Sequence, residues 1–376
     1  MSTVSSSVFE HLGKKEKVLC VVTQSYQDLV TAYLAQKWAK DNEIVFLNTG
    51  FEDQDFTSAI HEFFRVNGLL VKTIDARQDF KPLLRARTVE EKIASYAEAV
   101  KGVLAKLSAK YRARTLVAGN ILSPSFEEPV PTTPPRTMRF KSGTTTMYCP
   151  LAGRSLGSLA RIFAGLEASF ALPFYPMSRI GLASQCVGQV SQEKMDLARV
   201  ADRRVEKAIG GSVPGRYYFT AIGDNTKTKP KDKSQIENVV YNSFRNVGTV
   251  FSEISELCEP VPCINGWGRM LLINAKDDTG ELFIPSNVAL ASLQERVSIT
   301  SRLTRIGYCI ATGNPEGKYI ALLRHFESTD FNVAVPSSRN WSLIPKIGEE
   351  LVSLNNQISA CYLDISTKPP AKIGYI

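Results

Sequence analysis

The first half of this sequence predicts an α/β fold with a parallel sheet, on the strength of two apolar runs and the segment between them. Lys17-Val18-Leu19-Cys20-Val21-Val22 and Glu43-Ile44-Val45-Phe46-Leu47-Asn48 are short and nearly continuous in apolar character, the pattern of strands buried on both faces. Between them Leu29, Val30, Tyr33, Leu34 and Trp38 recur at helical spacing, predicting a helix from about Asp28 to Lys40. A strand–helix–strand unit this short implies parallel strands joined by a right-handed crossover. The polar stretch Thr23–Asp28 then falls at the carboxyl edge of the sheet, where open α/β folds take their ligands.

The elements that follow extend the same pattern. Asp55–Asn67 reads as a helix with Phe56, Ile60, Phe63 and Phe64 inward, Leu69–Asp75 as a third strand, Thr88–Tyr111 as a long helix and Thr115–Gly119 as a fourth strand. Residues 129–149 are rich in Pro and Thr and predict a loop or lid over the sheet edge. Cys186–Ala208 ends in another long helix. The polar run GDNTKTKPKDKSQ at 223–235 predicts a mobile loop. Gly266-Trp267-Gly268 and Asp277–Gly280 are turn signals.

Composition narrows the function classes. A chain of 376 residues has room for two domains, with the boundary expected near Leu182, giving 1–182 and 183–376. The net charge of +8 suits anionic ligands such as nucleotides, but it is spread along the chain and argues little for nucleic acid. No apolar run reaches the length of a membrane span, and the first 16 residues carry no signal-peptide core. Seven cysteines show no metal-ligand spacing and only three histidines are present, so a reduced, cytoplasmic setting without a His-based metal site is the expectation.

Several local motifs then align with one family. Leu47-Asn48-Thr49-Gly50 follows the second strand, FFRVNGLLVKTIDARQDF spans 63–80, Glu90-Glu91-Lys92 opens the long helix, and Gly119 to Glu127 follows the fourth strand. Phe140-Lys141-Ser142-Gly143 lies in the Pro/Thr-rich stretch. Lys318–Arg324 reads as a strand, and the end of the chain carries Tyr362, Asp364, Ile365, Ser366, Lys368, Pro369, Pro370 and Ala371. Together these resemble the ATP-pyrophosphatase and dimerisation parts of GMP synthetase, with the terminal Lys-Pro-Pro segment the most specific local match. The resemblance implies a parallel-sheet, adenine-nucleotide-hydrolase-like domain followed by an α+β dimerisation domain, with residues 209–298 an inserted or remodelled portion. It implies ATP and Mg2+ as cofactors if the site is functional, a purine nucleotide ligand and a homodimer. Carried over position by position, it makes Asp28, Lys92 and Glu127 the candidate catalytic residues, with Asp28 and Glu127 also the candidate metal ligands. Thr23, Ser25, Asn48, Gly50, Gly119, Lys141, Ser142, Arg324 and Lys368 are the candidate nucleotide-binding residues.

The sequence also departs from the family at five places along one reaction path. The family's Ser-Gly-Gly-Val-Asp-Ser loop has Gln24 and Ser25 at its glycine positions and Gln27 at its aspartate, and side chains there obstruct the approach of backbone N–H groups to pyrophosphate. An aspartate of the acidic pair has become Pro124, the histidines near Lys141 are missing, and the hinge reads Tyr175–Leu182 with Gln185 where a substrate-contacting arginine is expected. The final acidic residues are replaced by Gly374-Tyr375-Ile376. Three readings follow, in order of preference. The first is a diverged protein with lost or reduced adenylation, acting through nucleotide or protein binding. The second is an active ATP-dependent amidating ligase on XMP or another acceptor, using external ammonia. The third is an RNA-modifying relative on the same scaffold, for which no basic-aromatic patch speaks.

Overall fold

A computed structural model describes residues 17–39, 41–119, 136–140, 143–151, 180–210, 215–245, 250–263, 266–301, 304–329, 333–369, 371 and 375. The chain divides into two units, residues 1–183 and 184–376.

The first unit is organised by its parallel strands. β1 (Val18–Val22) is buried at every position, as its unbroken apolar run requires. Helix α1 (Tyr26–Trp38) begins two residues earlier than its apolar spacing indicates. β2 (Asn42–Asn48), α2 (Gln54–Val66) and β3 (Val71–Asp75) follow. The inward face of α2 is Phe56, Ile60, Phe63 and Phe64, and Asp53 caps its first turn by accepting from the N–H groups of Asp55 and Phe56. Helix α3 (Val89–Tyr111) starts in a capping box between Thr88 and Glu91, so Glu91 of the Glu-Glu-Lys motif serves the helix end. β4 (Thr115–Val117) completes the central strands.

Of residues 129–149, expected as a loop, 136–140 and 143–148 form strands, while 129–135 and 141–142 lie outside the described residues. Within them lie β5 (Arg136–Phe140) and β6 (Gly143–Tyr148), an antiparallel pair that extends the sheet to the order β3-β2-β1-β4-β6-β5. β6 runs parallel to β4, so five strands are parallel and β5 forms an antiparallel edge. The reason lies in Thr144-Thr145-Thr146: β-branched residues favour extended backbone, and the flanking prolines hide that signal.

The second unit is built on a mixed sheet. Its strands are β7 (Arg216–Asp224), β8 (Lys227–Thr228), β9 (Phe251–Leu257), β10 (Val261–Cys263), β11 (Gly266–Gly268), β12 (Met270–Lys276), β13 (Arg305–Thr312), β14 (Tyr319–Glu327), β15 (Val335–Pro336) and β16 (Ile358–Asp364). The helices are α4 (Gln192–Ile209), α5 (Lys233–Phe244), α6 (Asn287–Ser301) and α7 (Ile344–Val352). The sheet runs in the order β15-β14-β16-β13-β12-β9-β8, with β7 antiparallel to β14, while β10 and β11 form a separate hairpin. β16 is buried along its whole length, and β13 and β14 at all but their last residues, which places them at the centre. The run 223–235 is another correction: it contains the end of β7, all of β8 and the start of α5. Its backbone is tied down by Asn225 N–H to Lys318 O (2.7 Å) and Cys258 N–H to Thr226 O (3.1 Å), contacts that polar composition does not reveal. Gly266-Trp267-Gly268 is strand β11 rather than a turn. Asp277–Gly280 does turn, its Asp277 carboxylate accepting from the N–H groups of Thr279 and Glu281. All seven cysteines are unbridged. Among the described residues no helix is long and apolar enough to cross a membrane.

Candidate functional site

At the carboxyl edge of the first unit's sheet, the loop after β1 is closed on itself. The Asp28 carboxylate is fully buried and accepts from the Thr23 hydroxyl (2.6 Å), the Thr23 N–H (3.3 Å) and the Gly119 N–H (2.7 Å). These bonds join the end of β1, the first turn of α1 and the loop following β4. Ser25 is the N-cap residue of α1, but its hydroxyl makes no capping bond; its N–H donates to Thr23 Oγ1 at 3.3 Å. Gly119 is required here by space: a Cβ at that position would lie 2.5 Å from Asp28 Oδ1 and 2.8 Å from the Asp28 nitrogen. Thr23, Ser25, Asp28 and Gly119 are therefore brought together.

Gln24 and Gln27, which stand where the related loop has glycine and aspartate, also have internal uses. The Gln24 carbonyl accepts from Asp53 N–H (2.9 Å) and its amide donates to Phe51 O (3.5 Å), so its buried side chain links the two loops of the edge. Gln27 donates to Leu151 O at 2.7 Å. In the turn after β2, the Glu52 carboxylate accepts from Thr49 N–H (2.5 Å), Thr49 Oγ1 (2.6 Å) and Gly50 N–H (2.8 Å). Asn48 Oδ1 takes a longer bond from the same Gly50 N–H, 3.2 Å. Consecutive N–H groups of this sort form an anion-binding concavity, and here the protein's own carboxylate fills it. Glu52 was not legible in advance, although a carboxylate two residues beyond a Thr-Gly turn is the signal that would have found it. Lys92 lies in the first turn of α3, with only 1% of its surface exposed. Glu127, Lys141 and Ser142 lie outside the described residues.

In the second unit, Arg324 belongs to a buried polar cluster around Asp364. Arg305 donates to the Asp364 carboxylate at 2.6 Å, and the Arg324 guanidinium lies 3.9 Å from the same oxygen. Tyr375 Oη donates to Asp364 at 3.0 Å and its ring lies 4.3 Å beneath the Arg305 guanidinium. The Ser366 N–H adds a bond at 3.1 Å, and Arg324 donates to Ser366 O at 3.0 Å. Burial pushes the Asp364 carboxyl upward, but Arg324, Arg305 and Ser366 outweigh it and hold it below the ordinary aspartate value. Lys368 is buried and its backbone pairs both ways with Ala334, at 2.8 and 3.1 Å. Gln185, at the position of the expected substrate arginine, is wholly buried and donates to Asp202, which also accepts from the Thr220 hydroxyl. In this unit sequence reasoning missed Arg305, a charged side chain opening an otherwise apolar strand.

The ligand set implied by the resemblance, ATP with magnesium, does not fit the described part of the first unit's edge. The Asp28 oxygens are engaged by protein donors, Gln24 spans the loop and Glu52 occupies the neighbouring amides. Among the described residues no three His, Cys, Asp or Glu side chains are gathered to hold a metal.

An α/β domain whose loops converge at the carboxyl edge of a largely parallel sheet is of the nucleotide-binding type in architecture. No protein-family profile matches the chain. It is similar to one subunit of the glutamine-hydrolyzing GMP synthase of Sulfurisphaera tokodaii, with 22% identity over 371 residues that span 96% of this chain and 94% of that protein. The relation is distant but runs nearly end to end, so the chain is GMP-synthase-like at that level.

Proposed function

We propose that this chain is a diverged GMP-synthase-like protein that acts by binding a purine nucleotide or a protein partner, with adenylation lost or reduced. The supporting observation is the closed loop at Thr23–Asp28, where Asp28 is engaged by Thr23 and Gly119 and Gln24 lies across the approach. Catalysis of the related reaction rests on positioning phosphates and neutralising their charge with preorganised donors, and donors already satisfied by the protein supply neither. On this reading the protein is a cytoplasmic homodimer whose ATP turnover is lost or reduced. ATP–pyrophosphate exchange, with and without XMP and ammonia, is expected to stay at the blank rate. Exchange that rises with XMP overturns the reading.

A second reading, an active AMP-forming ligase on XMP or another acceptor with external ammonia, draws on the retained terminal segment. Lys368 is held in register by its paired bonds to Ala334, and Arg324 donates to Ser366 O two residues before it. Exchange stimulated by an acceptor other than XMP would favour it.

A further inference from the structure

The turn after β2 already holds an anion, and the backbone that grips it is fixed by other bonds. Thr49 N–H, Thr49 Oγ1 and Gly50 N–H converge on the two Glu52 oxygens at 2.5, 2.6 and 2.8 Å. On one side of the turn, Asn48 pairs in register with Asp75 and its carbonyl accepts from Ala76 N–H at 2.8 Å. On the other side, Phe51 O accepts from Leu182 N–H at 2.9 Å, and Asp53 N–H donates to Gln24 at the same distance. Gly50 makes the turn at a φ of +87°, where glycine is favoured, and it is exposed. Glu52 reaches these donors from three residues away. A change in its side-chain rotamer therefore empties the grip without moving the strands.

The same edge supplies positive charge. Arg77 follows β3, and its aliphatic stem lies against Gly50, where an added Cβ would sit 3.2 Å from Arg77 Cγ. Its guanidinium pairs with Asp75 at 2.6 Å. The bond and charge of Asp75 raise the Arg77 pKa above the ordinary arginine value, and Glu52 adds a lesser push in the same direction. Asp53 is committed to capping α2, so Glu52 is the carboxylate that faces the turn's donors. Three N–H and O–H donors beside a guanidinium, on an exposed glycine turn, select an oxyanion. A carboxylate offers two acceptor oxygens, whereas a phosphate group offers three and carries more charge.

We propose that the turn Asn48–Glu52 is a binding site for phosphate-type oxyanions, which Glu52 occupies in the free chain as a tethered competitor. The ligand displaces the carboxylate, takes the donors of Thr49 and Gly50 and faces Arg77. Binding of the oxyanion stands apart from the function proposed above, and only a nucleotide as its biological carrier rests on that reading.

The test is a titration of the full-length protein with inorganic phosphate, read at the Thr49 and Gly50 amide resonances, for the parent and Glu52→Ala. Sodium chloride at matched ionic strength is the reference for screening. A carboxylate tethered this closely competes at an effective concentration on the order of millimolar or higher, so Glu52→Ala is expected to half-saturate at about tenfold less phosphate than the parent. Adding Thr49→Val, which removes the hydroxyl donor, is expected to weaken that binding several-fold. Glu52→Gln keeps the length of the side chain and provides the same comparison where the alanine variant fails to fold. Half-saturation left unchanged by removal of the carboxylate overturns the proposal and makes Glu52 a cap of its own turn. A response that chloride reproduces also overturns it. AMP separates the carriers: tighter binding than phosphate at the same amides supports a nucleotide, and equal binding keeps the oxyanion site while counting against the nucleotide reading.

Discussion

Asp28 and Asp364 are both buried to 0% exposure, and the donors described around them differ in kind. The donors described at Asp28 are neutral: a hydroxyl and two backbone N–H groups. Those at Asp364 include an arginine at 2.6 Å, with a second arginine at 3.9 Å. The hydroxyl and backbone N–H groups described at Asp28 belong to loops, so these bonds fix loop positions at the edge where this architecture takes ligands. A carboxylate held by guanidinium groups fixes the pairing of strands, here β13 with β16 at Gly307 and Asp364. The first unit thus uses its buried charge to close an edge, and the second uses it to hold a core.

The largest effect expected from this contrast is at Asp364. Asp364→Asn leaves Arg305 buried without its anion, and removing one partner of a buried pair costs about 3–5 kcal/mol. Amide exchange of β13 and β16 should accelerate accordingly, with little change in β1 and β2. Equal acceleration in both units would break the distinction between them.

A titration sharpens it. His325 on β14 is buried, neither ring nitrogen has a hydrogen-bond partner, and burial pushes its pKa down to about 4, with Arg216 adding to the shift and Glu327 opposing it. Its register partner is Tyr218. Below an unfolded value of 6.5 the unfolded chain takes up a proton that the folded chain refuses. Stability therefore falls as pH drops from 6.5 toward about 4, by about 3 kcal/mol in all. Asp364 acts in the same direction at lower pH, since a carboxyl held below its ordinary value loses its contribution on protonation. His325→Leu is expected to flatten the upper part of the curve, measured as the urea midpoint at pH 7.5 and pH 5. An unchanged slope would mean that the imidazole is solvated on opening.

How much of this was legible depends on where a residue's partners lie. β1 and β2 could be read because burial on both faces forces an unbroken apolar run. The hairpin of β5 and β6 could not, because prolines on one side mask three consecutive threonines. β8 and the start of α5 were hidden by the lysines and aspartates that line them. At the site, the backbone need for Gly119 was visible as a glycine, but its cause, the nearness of Asp28, spans 91 residues. Gln24 read as an obstruction and is also a strut, since its partners Phe51 O and Asp53 N–H belong to the next loop. Arg305 and Asp364 are 59 residues apart, and neither reveals its partner without the sheet register.

The smallest predicted change tests the first unit directly. In Gly119→Ala the added methyl group meets Asp28 Oδ1, the Asp28 nitrogen and the Gln27 carbonyl carbon, all within 2.8 Å. Two of those atoms are backbone, so relief requires that the loop or the end of β4 shift rather than that a side chain rotate. Overpacking of this kind costs about 1–3 kcal/mol, and the 2.7 Å bond from Gly119 to Asp28 should lengthen or break. Amide exchange at the start of α1 and the end of β4 should quicken while β13 and β16 stay protected. The same variant, mixed with ATP and magnesium, separates two meanings of the closed loop. If forcing the edge apart uncovers ATP binding absent from the parent, Asp28 and Gly119 act as a latch over a surviving site. If it yields only instability, the pair is a structural tie that has replaced the site.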